Sequence, residues 1–360
     1  MNHNNGGRDN RAKPQHVRRC NAVPAETTHA TGRAVLKIYA RAGILLATFA
    51  GLGAAMWAFG VAGLHNVLVA ATRVGPAGFV AFCIYTGGIF VLLGGAWLAS
   101  APGEPARRLG LFMWARMLRE AVADLLPFSQ LGGIVVGTRS LLLAGVPAPK
   151  TYASLIVDMT TEMAAQLVFT LFGLAIMASL LVAGPNAAQL RPLILGGTAA
   201  MIVTMILFFA AQKPAVALAQ RIAVHFLPES AAQVGELGIE LRATYARTGR
   251  IGVAFALNLA GWIASALGAW FVLNMMGARI SVWSVLSLES LIFTLRSIAF
   301  AIPSAIGVQE AAYALAAPLF GLPPESALAL SLVKRAREIA IGIPTLLVWQ
   351  ASETRAVIAG

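Results

Sequence analysis

The stretch Ala301–Pro344 reads "AIPSAIGVQEAAYALAAPLFGLPPESALALSLVKRAREIAIGIP". It is largely apolar, but it has features that are rare in a simple membrane-spanning helix. Prolines and glycines interrupt it, and its charged residues include Glu310, Lys334 and Arg337. A charge at the centre of a bilayer costs about 2.5–3.5 kcal/mol on insertion scales. Non-helical backbone at that depth is tolerated where it is buried in protein or lines a wet cavity. The stretch therefore predicts a broken segment beside a polar site inside a membrane.

The whole chain has the composition of a membrane protein. Of its 360 residues, 58% are hydrophobic and 12% are charged, whereas roughly a quarter of the residues in a soluble domain are charged. Six apolar stretches exceed or approach the roughly 20 residues that a spanning helix needs. They lie at 42–64, 77–100, 153–184, 192–211, 251–276 and 325–351. We expect an all-α polytopic membrane protein with about six full spans.

Two further apolar regions, 109–149 and 284–322, are broken by proline, glycine and charge, and they resemble each other. The alignment that places Pro127 on Pro303 also places Gly145 on Gly321 and Glu162 on Glu338. We interpret both regions as re-entrant helical hairpins followed by a long helix, in repeat halves of about 109–184 and 284–351. The predicted hairpin breaks are Pro127, Gly133, Gly145, Pro303, Gly307 and Gly321. The alternative is two unrelated broken regions.

The N-terminal tail is basic and sets the predicted topology. Between Arg8 and Arg41, eight basic residues face two acidic ones, which is half of the net charge of +12. The positive-inside rule explains such a tail better than nucleic-acid binding does in so apolar a chain. We expect residues 1–34 to form a disordered cytoplasmic tail and 35–360 a single membrane domain, with an amphipathic cytoplasmic connector at 212–250.

Counting spans from a cytoplasmic N-terminus makes the two hairpins dip into the membrane from opposite faces. The repeat is then inverted, and such repeats place a binding site near the bilayer midplane, between the broken helices. The sequence therefore predicts a site that both halves build together.

Charged residues in the two halves are the candidates for that site. We expect the following residues to bind or translocate a charged headgroup: Arg139, Asp158, Glu162, Arg296, Glu310, Lys334, Arg337 and Glu338. Asp158 aligns with Lys334, so opposite signs occupy equivalent positions and an ion pair between the halves is expected. Two structural alternatives stay open. The charges pair only to lock the hairpins, or the arginines at 116, 119 and 335 snorkel to the interface.

Signatures of catalysis are scarce in the sequence. It has no P-loop, no His and Cys spacing typical of a metal site, and no recognisable catalytic triad. We expect no enzyme activity, no metal, no cofactor and no ATP motor.

Four motifs carry a resemblance to a known family. They are "LPFSQLGG" at 126–133 followed by Arg139, "VDMTTE" at 157–162, "IPSAIGVQEAA" at 302–312 and "LVKRAREI" at 332–339. Together they resemble the membrane domain of lysylphosphatidylglycerol synthase/flippase proteins over roughly residues 40–352, most of all the stand-alone members associated with hopanoid biosynthesis. The resemblance implies a multi-pass protein of the bacterial inner membrane that moves lipids. The soluble aminoacyl-transferase domain is not expected, and neither is lipid aminoacylation.

The resulting functional prediction is ATP-independent lipid transport, linked to hopanoids or other envelope lipids. The expected partners are lipids and the membrane, not nucleic acid, and a homo-oligomer or biosynthetic enzyme partners remain open. Two alternatives are an enzyme-like accessory factor for hopanoid or glycolipid synthesis and a scaffold that holds biosynthetic enzymes at the membrane.

Overall fold

The computed structural model describes residues 52–126, 129–182, 228–298 and 305–359, together with positions 196, 199, 203 and 206. Over these residues the chain is helical and has no strand, which confirms the predicted all-α class. The predicted tail 1–34, most of the predicted span 192–211, and the prolines at 127 and 303 lie outside the described residues.

The described ranges contain helices α1 to α11. Their bounds are α1 Leu52–Ala62, α2 Leu64–Thr72, α3 Gly75–Ala99, α4 Leu109–Leu125, α5 Ser129–Leu143, α6 Ala148–Val182, α7 Pro228–Tyr245, α8 Thr248–Met275, α9 Val282–Ile298, α10 Val308–Ala316 and α11 Pro324–Ala359. Two short 3-10 segments, Ala106–Arg108 and Ala317–Phe320, precede α4 and follow α10. The helix α7 lies within the predicted connector.

Three described helices are long and apolar enough to cross a membrane: α3, α6 over Ala148–Met177, and α8. They correspond to the predicted spans 77–100, 153–184 and 251–276. The first predicted span, 42–64, differs because α1 and α2 meet at an angle of 82°. Gly63 provides this break with a φ of 78°, a conformation that only glycine adopts readily. The bent pair counts as one further span at most.

The sixth predicted span, 325–351, lies within α11, which is 36 residues long and has Pro344 inside it. This helix does not meet the hydropathy and charge criteria that α3, α6 and α8 meet. Four of its charged residues lie between Lys334 and Glu338, near the boundary between its first and middle thirds. The described residues therefore support three spans, or four with the bent pair, rather than all six.

The order and length of the helices repeat along the chain. Helices α3 to α6 have 25, 17, 15 and 35 residues, and α8 to α11 have 28, 17, 9 and 36 residues. The alignment that places the first residue of α3 on that of α8 also places the first residue of α4 on that of α9. The alignment that places Pro127 on Pro303 places the first residue of α6 on that of α11. We call α3–α6 the first half and α8–α11 the second half.

The turn that ends the third helical segment of each half has the same geometry in both. At Gly145 and Gly321 the φ angles are 79° and 73°. In each turn the glycine N–H donates to the carbonyl three residues back, and the next N–H donates to the carbonyl five residues back, over 3.0–3.1 Å. This helix ending satisfies two carbonyls that the helix leaves open, and it favours glycine.

The first helices of the two halves, α3 and α8, are antiparallel. Arg73, just before α3, donates from Nη1 to the carbonyl of Met276 at the end of α8 over 3.5 Å. Arg250, in the first turn of α8, donates to the carbonyls of Leu98 and Ala99 at the end of α3, each over 3.0 Å. Each arginine thus lies at the negative end of the other helix, where a cation is favoured.

Contacts between the halves are reciprocal. The helix α4 packs against α11, and α9 packs against α6. The 17-residue helix of each half therefore lies against the long helix of the other half. This exchange brings residues of both halves around one central region.

Gly133, predicted as a hairpin break, lies instead inside α5 and is buried. A Cβ at this position would lie 2.3 Å from the carbonyl oxygen of Arg119 in α4. Glycine is therefore required by the close approach of two helices and not by a bend, as is common in membrane helix packing.

Candidate functional site

A cavity of about 400 Å³ lies between the two halves. Its apolar wall includes Phe90, Leu93, Trp262 and Phe293. Its charged residues are four basic and four acidic ones: Arg116, Arg119, Glu120, Asp124, Glu162, Arg296, Arg337 and Glu338. The lining comes from α3, α4, α6, α8, α9 and α11, so the cavity depends on how both halves pack.

A buried ion network joins α4 to α6 in the first half. Asp158 accepts hydrogen bonds from Arg116 over 3.0 Å and from Arg119 over 3.3 Å. Glu162 accepts a 2.8 Å bond from Arg119 and pairs with both terminal nitrogens of Arg116. Asn258 of α8 lies 3.5 Å from the second oxygen of Asp158. Both arginines are buried and paired, so neither snorkels to the interface.

A second buried network joins α9, α10 and α11. Lys334 donates to Glu289 over 2.7 Å and to the hydroxyl oxygen of Tyr313 over 3.0 Å. The Tyr313 hydroxyl in turn donates to the other oxygen of Glu289. All three residues are buried, and the Lys334 ammonium lies 5.0 Å from the centre of the Phe293 ring. The charge is thus balanced within this group.

The two networks occupy equivalent positions with reversed signs. The alignment that matches the first residues of α4 and α9 places Arg116 on Glu289, and the one that matches α6 with α11 places Asp158 on Lys334. In each half, an ion pair between these equivalent positions therefore joins the 17-residue helix to the long helix. The predicted ion pair between Asp158 and Lys334 is wrong, because each residue finds its partner inside its own half.

At the cavity, Arg296 forms an ion pair that joins the halves. Its Nη2 lies 3.3 Å from Asp124 of the first half, and its Nη1 lies 3.5 Å from Glu338 of the second half. Arg335 and Arg337 also approach Glu338 at 3.5 Å each. Of these residues, all but Arg335 line the cavity. Opposite charges from the two halves therefore pair at the cavity wall.

The profile of one protein family matches most of the chain. It describes the lysylphosphatidylglycerol synthase TM region and matches residues 42–344. The chain belongs to this family. Comparisons with curated proteins and with solved structures find no match. The resemblance drawn from the sequence motifs is thereby confirmed at the level of the family, whose membrane region relates this protein to membrane lipids.

Four of the eight predicted site residues line the cavity of this family member: Glu162, Arg296, Arg337 and Glu338. Asp158 and Lys334 do not line it. They are buried in the two ion networks, one of which includes the cavity residues Arg116 and Glu162. Their burial makes them supports of the wall rather than groups that face it.

Glu310 caps a helix and does not line the cavity. Its Oε2 accepts a 2.7 Å bond from the N–H of Gly307, at the start of α10. Its Oε1 accepts a 3.0 Å bond from the Ser331 hydroxyl and lies 3.4 Å from Nε of Arg335. A carboxylate at the N-terminus of a helix satisfies an open donor and complements the helix dipole. Glu310 thus acts as a helix cap in the structure, and its role in binding a charged headgroup stays a prediction.

Arg139 lies away from the cavity as well. Its side chain is 53% exposed and forms two bonds of 2.9 and 2.7 Å with Glu353, near the end of α11. This pair ties α5 to α11 at the surface. Exposed pairs of this kind contribute about 0–1 kcal/mol.

Four cavity residues on α4 were not among the predicted site residues: Arg116, Arg119, Glu120 and Asp124. The spacing of three of them in the sequence indicates a shared helix face and could have identified them as site residues. Positions 116, 120 and 124 follow one another at intervals of four, which places them on one helix face. A charged stripe on an otherwise apolar helix is expected to face a polar interior.

Among the described residues, no group of His, Cys, Asp and Glu is arranged to hold a metal ion.

Proposed function

We propose that this protein is an ATP-independent, flippase-like lipid transporter and not an enzyme. We place it in the bacterial inner membrane with its N-terminus in the cytoplasm, and we link it to hopanoids or other envelope lipids. The observation that supports this proposal is the cavity between the halves, which combines an apolar wall with four basic and four acidic residues.

The size and chemistry of the cavity suit a lipid headgroup. Its volume of about 400 Å³ lies in the range of roughly 300–1,000 Å³ that is common for small-molecule sites. Moving a charged headgroup out of water is costly unless it meets compensating charges. The paired arginines and carboxylates offer such charges, while Phe90, Trp262 and Phe293 offer apolar contact.

The relation between the halves supports a transport mechanism. Two observations favour two copies in inverted orientation. The helices α3 and α8 are antiparallel, and α4 packs on α11 as α9 packs on α6. Inverted copies can exchange their conformations and open a central site to one face and then to the other. In this proposal the cavity is that central site.

A flip assay with purified protein tests the proposal. Proteoliposomes would contain fluorescent phospholipids or a labelled hopanoid, and a membrane-impermeant quencher would report the lipid in the outer leaflet. We expect faster exchange than in protein-free liposomes, without ATP. Arg296→Gln should slow exchange at least about tenfold, which is about 1.4 kcal/mol, because it removes the ion pair that joins the halves at the cavity wall. Arg139→Gln, outside the cavity, is the matched control.

Two results would contradict transport. One is equal exchange with and without protein for every lipid in the panel. The other is unchanged exchange in a folded Arg296→Gln protein. If the purified protein flips no lipid while the Arg296→Gln variant still supports growth in cells that need the gene, the scaffold alternative accounts for the protein better.

A further inference from the structure

Two charged residues of the cavity, of opposite sign, each have one ion pair among the described contacts. Glu120 has one ion pair among the described contacts, with Arg116 at 3.0 Å, and its side chain is 30% exposed. Arg337 has one ion pair among the described contacts, with Glu338 at the longer distance of 3.5 Å. Its guanidinium also lies 5.2 Å from the centre of the Phe82 ring. Both groups therefore retain capacity to bind a ligand.

The charge around these two residues is unequal on the two sides of the cavity. Among the cavity residues, the first half contributes three carboxylates against two arginines: Glu120, Asp124 and Glu162 against Arg116 and Arg119. The second half contributes two arginines against one carboxylate: Arg296 and Arg337 against Glu338. The first side is thus net negative and the second side net positive.

A second, smaller cavity of about 30 Å³ shares walls with the first one. Both are lined by Glu120 and Arg337, together with Asp124 and Glu338. Glu120 and Arg337 therefore lie where the two cavities adjoin. The smaller cavity continues along α11 past Ile341 and Gly342, which offer only apolar surface and backbone.

We propose that Glu120 and Arg337 select a lipid whose headgroup is a zwitterion of one phosphate and one ammonium. This inference rests on the proposed lipid transport. Arg337 binds the phosphate, because a guanidinium offers a fork of donors that matches phosphate oxygens. Glu120, on the helix α4 that packs against α11, binds the ammonium. A purely anionic headgroup leaves Glu120 beside a like charge, and a cationic headgroup leaves excess positive charge near Arg337, and both arrangements are disfavoured.

Charge selectivity in the flip assay tests the assignment. The probes are phosphatidylethanolamine, phosphatidylglycerol and a synthetic lipid with a cationic headgroup, all with the same acyl chains. We expect the wild-type protein to transport phosphatidylethanolamine at least tenfold faster than the other two. Arg337→Gln should shift the preference towards the cationic lipid, and Glu120→Gln should shift it towards phosphatidylglycerol. Arg139→Gln should keep the wild-type order.

Opposite shifts in the two variants support the assignment, because loss of folding alone would slow all three lipids alike. Transport with no preference among the three lipids, or variants that keep the wild-type order, would overturn it while the transport proposal stands.

Binding to the purified protein in detergent separates the two proposals. Selective retention of phosphatidylethanolamine without any flipping would contradict transport and support the headgroup assignment. Phosphoethanolamine alone is the control for the source of the headgroup. If it binds as tightly as the whole lipid, the ligand is a soluble compound and the lipid assignment is wrong.

Discussion

The buried ion pairs Arg116–Asp158 and Glu289–Lys334 carry opposite polarity at equivalent positions of the two halves. A buried ion pair contributes little net stability, since desolvation offsets the attraction, but removal of one partner leaves an unpaired charge. That asymmetry makes each partner necessary once the other is present. The charge-reversed pairs therefore hold each 17-residue helix to the long helix of its own half.

We expect Glu289→Gln and Lys334→Gln each to lower the free energy of unfolding by about 3–5 kcal/mol, because each strands one buried charge. The double variant should lose less than the two single losses combined, since no unpaired charge remains. Reversible unfolding in detergent measures the three values. Strictly additive losses would show that the two residues do not act as a pair.

Asp158 and Lys334 provide the matched control for this cycle. They occupy equivalent positions but have separate partners, so their two losses should add within about 0.5 kcal/mol. A large coupling between Asp158 and Lys334 would mean that the halves exchange ion-pair partners.

At the scale of helices, α4 and α5 approach closely through glycine. A Cβ at Gly133 would lie 2.3 Å from the backbone oxygen of Arg119, and a Cβ at Gly137 would lie 3.0 Å from that of Ala115. The two glycines are four residues apart on one face of α5, the arrangement that lets membrane helices pack tightly. Because Arg119 lies in the same contact, the position of a cavity arginine depends on this packing.

We expect Gly133→Ala to destabilise the protein by about 1–3 kcal/mol, because the new methyl group meets rigid backbone. Gly132→Ala is the control on the same turn. Its Cβ would meet only Cγ1 of Val122 at 3.2 Å, the movable end of a side chain. Melting in detergent should therefore show a clear loss for Gly133→Ala and a small change for Gly132→Ala. Equal losses would contradict the close approach of α4 and α5.

At the scale of the whole molecule, the two halves are related by the order of their helices, by the turns at Gly145 and Gly321, and by reciprocal packing. The antiparallel course of α3 and α8 favours an inverted relation between the halves. If the halves are inverted, equivalent positions lie at opposite faces of the membrane.

Leu143 and Leu319 are equivalent in the alignment that places Gly145 on Gly321, and both are exposed, at 60% and 42%. We expect Leu143→Cys and Leu319→Cys, in a protein without Cys20 and Cys83, to react with an impermeant thiol reagent from opposite sides of the membrane. Both should react after the membrane is permeabilised. Reaction of both from the same side of sealed vesicles would contradict the inverted arrangement.

Sequence patterns alone determined the membrane class, the all-α fold, three candidate spans and the turns at Gly145 and Gly321. These features depend on local composition and on backbone conformations that only glycine adopts easily. The family also followed from local motifs, and its profile covers residues 42–344. The opposite signs at Asp158 and Lys334 were visible in the sequence as well.

The partners of those charges were decided only by the tertiary structure. Asp158 pairs with Arg116 and Lys334 pairs with Glu289, and in each case a further helix lies between the two partners along the chain. No local pattern specifies such pairings, because they depend on which face of one helix packs against another. The same reason explains why Gly133 proved to be a contact point and Glu310 a helix cap. The cavity itself exists only where helices from both halves meet, since its wall requires groups that are far apart along the chain.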